Sequence, residues 1–181
     1  MVGTLPVAPV QLPIFRNRTY IRFAHLDSSL EWYIRNGYLP DPNNPTLIIY
    51  NKGNECTEVT NGWSATVTDS NTSFSKNTDN MSLIRNSNSG NIMVFTNKPI
   101  NVTNFESITL KYKAVGDAYI VLSSNRATGT SLVENPIKLS PVSDYVETTI
   151  DISSINGNKY IGFYCNEENT SINIMEVILN Y

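Results

Sequence analysis

The sequence predicts a mainly β chain: a jelly-roll or Greek-key β-sandwich preceded by a Pro-rich N-terminal arm and one short helix. Three observations predict it. Short runs alternate apolar and polar side chains with a period of two, as a strand does when one face is dry and the other wet. Clusters of Asn, Gly and Ser separate these runs at the spacing of turns. The chain of 181 residues is long enough to bury a core, and its 40% hydrophobic and 16% charged content leaves uncharged polar side chains for the outer faces. No period of 20 to 50 residues repeats, which excludes a propeller or solenoid.

The first 46 residues form a region apart from the sandwich at 47–181. Pro6, Pro9 and Pro13 interrupt Leu5, Val7, Val10, Leu12, Ile14 and Phe15. Proline removes backbone donors and favours extended chain, so this strip has no fold of its own. Its apolar side chains need a surface, and two stand open: a neighbouring subunit, or its own domain. A short strand is expected at 19–24 and a helix at 27–37, where Ser28 and Glu31 have capping-box spacing, Leu30 and Ile34 share a face, and Gly37 suits a left-handed stop. Pro40, Pro42 and Pro45 then mark a connector.

Strands are expected at 47–50, 64–69, 81–85, 92–96, 109–113, 118–123, 137–139, 145–152, 160–165 and 172–181. Residues 51–62 read as a long polar excursion and 71–80 as turn-rich, while 81–85 and 92–96 read as a hairpin pair. Ile108, Leu110, Tyr112 and Ala114 share one parity and point inward. Residues 118–123 are apolar on both parities, as in a central strand. The last strand changes phase, since Ile172 and Ile174 share one parity but Met175, Val177, Leu179 and Tyr181 the other; a bulge near Ile174–Met175 accounts for it.

Several function classes are excluded. The net charge of −3 and the absence of a basic stripe argue against nucleic acid. No apolar run is long enough to insert in a membrane, and the N-terminus lacks a secretory signal pattern. Cys56 and Cys165 match no metal or redox spacing; buried free thiols in a reducing cytoplasm or a single disulfide both fit. The lone His25 sits among Phe23, Ala24 and Leu26, and no nucleophile or acid/base pair has a recognisable context, so no enzyme and no catalytic residue is expected.

The segments LIIYNKGNECTEVTNGW (47–63), INVTNFESITLKYKA (100–114) and ETTIDISSINGNKYIGFYC (147–165), with the terminal strand, resemble a jelly-roll module of tailed-bacteriophage tail, baseplate and other virion surface proteins. The same strand order resembles carbohydrate-binding modules. The resemblance implies a structural virion component, assembled in the host bacterial cytoplasm, docked through its arm to other virion proteins and homo-oligomeric. The alternative it implies is a module that binds host surface polysaccharide. Such modules contact sugars through aromatic rings, because a ring face packs on the apolar face of a pyranose. The candidates for glycan or partner contact are Tyr119, Tyr160 and Tyr164, opposite the dry face, with Trp63 also fitting a core position. The resemblance also implies a structural calcium ion as the one possible cofactor, where an early loop meets the last strand; Glu55 and Glu176, with Asn54, are its candidate ligands.

Overall fold

The computed structural model describes residues 46–67, 72–86, 92–129 and 132–181. The arm residues Leu5 to Phe15 and the helix expected at 27–37 lie outside them. In chain order the elements are β1 (Thr46–Asn51), β2 (Asn54–Glu55), a one-turn helix α1 (Thr57–Thr60), β3 (Trp63–Val67), β4 (Thr72–Lys76), β5 (Met81–Arg85), β6 (Ile92–Thr96), β7 (Ile100–Asn101), β8 (Ser107–Val115), β9 (Ala118–Ser123), β10 (Pro136–Leu139), β11 (Val142–Asp151), β12 (Asn158–Cys165) and β13 (Thr170–Asn180).

Two antiparallel sheets face each other. The seven-stranded sheet runs β11-β8-β13-β1-β2, with β5 and β4 beside the first half of β13. The six-stranded sheet runs β10-β9-β12-β6-β3, with β7 also on β12. The alternation expected from the sequence sets which side chains meet between them. From β8 come Ile108, Leu110, Tyr112 and Ala114, from β13 Ile172, Ile174, Val177 and Leu179, and from β12 Ile161, Phe163 and Cys165, all buried in one core. Burying each large aliphatic side chain is worth roughly 1.5–3 kcal/mol, so this shared layer is what joins the sheets.

The phase change in the last strand is a bulge, with the register slipping between Ile174 and Glu176. It divides β13 in two. Ile174 and the residues before it pair with β5, while Glu176 and those after it pair with β1. The β1–β2 and β4–β5 turns therefore meet at Met175, whose carbonyl accepts from Lys52 N at 2.8 Å. Gly53 is needed at this junction: its φ is +78°, and a Cβ there would overlap the carbonyl of Thr78.

Three sequence expectations change. Residues 51–62 hold β2 and α1, and 71–80 contain β4, whose single large apolar residue, Phe74, gave too little alternation to read as a strand. The pairing of 81–85 with 92–96 is wrong: β5 bonds β4 and β13, whereas β6 bonds β3 and β12 in the other sheet. Both segments are apolar enough to be central, so each has two partners and neither needs the other. Cys56 and Cys165 are buried free thiols.

Candidate functional site

The outward face of the six-stranded sheet gathers the predicted tyrosines. Its strands are apolar on both parities because this face, too, is partly dry. Beneath, Ala118, Ile120 and Leu122 of β9 and Ile92 and Val94 of β6 enter the main core; above, Val121, Met93, Phe95 and Tyr164 form a second cluster, with Tyr119 and Tyr160 packed against it. The register aligns these residues in rows across the strands. Lys138 lies opposite Tyr119, Tyr119 opposite Tyr164, and Tyr164 opposite Met93.

Tyr119 and Tyr164 are stacked, with centroids 4.6 Å apart and planes within 3°. Their separation matches the spacing of neighbouring strands. Rings lying flat and side by side would overlap at that distance, so the two stand up from the sheet as parallel plates. Tyr164 is the inner plate, only 6% exposed. Burial, and then the fields of Tyr119 and Asp117, push its hydroxyl up to about 12, so it remains a donor at neutral pH. Tyr119 keeps partial exposure and turns its second ring face toward β10. There the Lys138 ammonium is held 2.7 Å from Asp117 Oδ1. The carboxylate keeps Lys138 charged by raising its pKa.

A strap crosses the next row. The connection between β9 and β10, described at 124–129 and 132–135, reaches the far edge of the sheet, where Arg126 donates to Ser64 O at 3.2 Å and Ser64 Oγ at 2.6 Å, and Thr66 Oγ1 donates to Ala127 O at 2.7 Å. On its return Asn135 Nδ2 donates to Leu122 O at 3.0 Å. Glu134 Oε2 clasps the base of the strap by accepting from Ser124 N at 3.0 Å, Ser124 Oγ at 2.8 Å and Lys159 Nζ at 3.0 Å. Those bonds, from Lys159 first and then Ser124, lower its pKa to about 2. Ala127 and Val133 join the cluster that buries Phe95. The Phe95 ring lies over Gly162, where a Cβ would run into it and come within 2.8 Å of Val94 O.

The structure places the other sequence candidates elsewhere. Tyr160 shares the outward face but sits four residues from Tyr164, roughly 13 Å along β12, opposite Ser123. Trp63 is no surface residue: it is 1% exposed and stacks on Phe163 inside the core at 5.7 Å. Glu55 and Glu176 do not converge. Glu176 pairs with Asn51, whereas Glu55 pairs with Tyr50, one parity away, and its Oε1 lies 2.7 Å from Lys76 Nζ. Among the described residues no three His, Cys, Asp or Glu side chains group as a metal site would need. The sequence reading missed Lys138 and Asp117, which are far apart in the chain and meet only through the β9–β10 pairing. Met93 and Phe95 were legible in principle, because β6 is apolar at every position but its terminal threonine.

The opposite outward face, on the seven-stranded sheet, is mostly polar, with Ile84 and Val115 exposed on it. Lys111 lies between Glu147 and Glu176, Asn180 Nδ2 donates to Ser107 Oγ and Thr109 Oγ1 at 3.0 Å each, and Lys113 stands 5.2 Å over the Tyr145 ring.

No protein-family model matches the chain, and no curated protein matches it in sequence. Solved structures do match in fold. A variant of a family 29 carbohydrate-binding module superposes with a TM-score of 0.55 at 16% identity, over 75% of this chain and 91% of that one. The fold is similar to family 29 carbohydrate-binding modules. A variant complexed with cellulohexaose gives 0.55 at 15% identity, over 74% of this chain and 89% of the module, and one complexed with mannohexaose gives 0.53 at 16%, over 75% and 91%. At this identity the likeness concerns architecture: a mainly β sandwich of two antiparallel sheets.

Proposed function

We propose that the sandwich is a non-enzymatic carbohydrate-binding module, and that polysaccharide binds the outward face of the six-stranded sheet at Tyr119 and Lys138, with the buried Tyr164 backing the Tyr119 ring. The observation that carries this reading is the Tyr119–Tyr164 pair: an aromatic stack on an outward sheet face, with a charged donor and acceptor beside it, in a fold similar to modules solved with hexasaccharides. Apolar ring surface answers the C–H face of a pyranose, and Lys138, Asp117 and the tyrosine hydroxyls answer its hydroxyls. The test is calorimetry or affinity electrophoresis of the full chain with cellulohexaose, mannohexaose and their parent polysaccharides. Binding to one of these, reduced at least tenfold by Tyr119→Ala and unchanged by Tyr145→Ala on the opposite face, is expected. A chain that binds none of them contradicts the reading.

Attachment to a virion through residues 1–46 is a separate proposal, resting on the Pro-rich strip alone. Particle incorporation of a chain lacking residues 1–15 tests it; undiminished incorporation overturns it.

A further inference from the structure

On the reading of this face as a carbohydrate site, we infer that the Asp117–Lys138 pair, with the second ring face of Tyr119, is the specificity-determining contact and selects neutral hexose chains over acidic ones. Lys138 is directly across from Tyr119 on β10, and Asp117 enters from the turn after β8, so the pair bounds the ring face that Tyr164 leaves open. Both members reach water, with side-chain exposures of 55% for Lys138 and 24% for Asp117. At 2.7 Å the ammonium and the carboxylate offer donors and acceptors side by side, the arrangement that two adjacent sugar hydroxyls require.

The charge at this end of the row decides the class of sugar. The Lys138 ammonium is already paired with the Asp117 carboxylate at 2.7 Å, so the pair has no net positive charge to offer an anionic sugar. A uronate or sulfated chain would have to compete with Asp117 for the ammonium and stand beside its carboxylate, whereas the hydroxyls of a neutral chain can bond both members of the pair. The strap walls off the adjacent row, and Tyr164 and Met93 are buried, so the accessible part of this row is Tyr119 with the Asp117–Lys138 pair.

An exposed ion pair adds little to folding, so its variants remain folded and isolate the binding effect. The experiment titrates the full chain with cellulohexaose, mannohexaose and polygalacturonate. Each of Asp117→Asn and Lys138→Met is expected to weaken binding of the neutral hexasaccharide at least tenfold with an unchanged urea midpoint, Lys111→Met on the opposite face to leave it unchanged, and polygalacturonate to bind at least tenfold more weakly than the neutral probe. The inference is overturned, and the carbohydrate reading kept, if the wild type binds but Asp117→Asn and Lys138→Met bind equally well, or if polygalacturonate binds as tightly as the neutral sugars. If the wild type binds no probe, both fall together.

Discussion

The two outward faces of the sandwich were built from the same alternation but finished differently. On the seven-stranded sheet most outward residues are polar, as β8 shows with Lys111 and Lys113 set against buried Leu110 and Tyr112, with Ile84 and Val115 as exposed apolar exceptions. On the six-stranded sheet the second parity is apolar as well, and Met93, Phe95 and Val121 are fully buried under a strap and a tyrosine stack. A face that is dry without a second sheet must be covered by something else. Here the strap covers the middle, and Tyr119 and Lys138 are left accessible at its margin. The difference teaches where to look: the polar face needs nothing further, whereas the apolar one has been shaped.

The contrast can be broken most strongly at Phe95. Phe95→Ala removes a side chain buried between Gly162 and the strap, and a loss of about 3–5 kcal/mol is expected by urea denaturation, a core-sized cost from the outer side of a sheet. A loss within about 0.5 kcal/mol would show that the strap does not cover this face. Gly162→Ala comes next. Its methyl group would collide with the Phe95 ring and crowd Val94 O, and about 1–3 kcal/mol should be lost. The double variant Gly162→Ala/Phe95→Ala should lose less than the sum of the two, since removing the ring makes room for the methyl.

Much of this arrangement was legible beforehand. Alternation in β8, β11 and β12 and the phase change in β13 gave the strands, the buried parity and the bulge, because a half-buried strand writes its geometry into every second residue. Partnership was not legible. β5 and β6 are adjacent in sequence and both apolar, and nothing local tells two central strands of different sheets from a hairpin. The site was half visible for the same reason. Tyr119 and Tyr164 could be placed opposite the dry face from parity, but their stacking, and the meeting of Asp117 with Lys138, depend on which strands are neighbours. Trp63 fitted a core position as well as a surface one, because a large ring after a turn serves either, and the structure puts it in the core.

Smaller effects sharpen the comparison. The clasp at Glu134 has a carboxyl pKa of about 2 in the fold against an ordinary 4.5. Its contribution is therefore complete above about pH 4.5 and fades as the pH falls toward 2. Because the Glu134 side chain is 43% exposed, solvent screens the clasp and less than about 1 kcal/mol is at stake. Glu134→Gln should lower the urea midpoint slightly at pH 7 and reduce the further drop between pH 5 and 3, assigned by comparing the two proteins across that range. Thr149→Ala, on the open polar face, is the reference: a change within about 0.5 kcal/mol is expected.

The central claim is that ligand binds the shaped face and not the polar one. An NMR titration of the isotopically labelled full chain with whichever of cellulohexaose or mannohexaose it binds tests this directly. The account predicts that shifts concentrate at Asp117, Tyr119, Lys138 and Tyr164. Shifts concentrated instead at Lys111, Lys113, Tyr145 and Glu176 would contradict it.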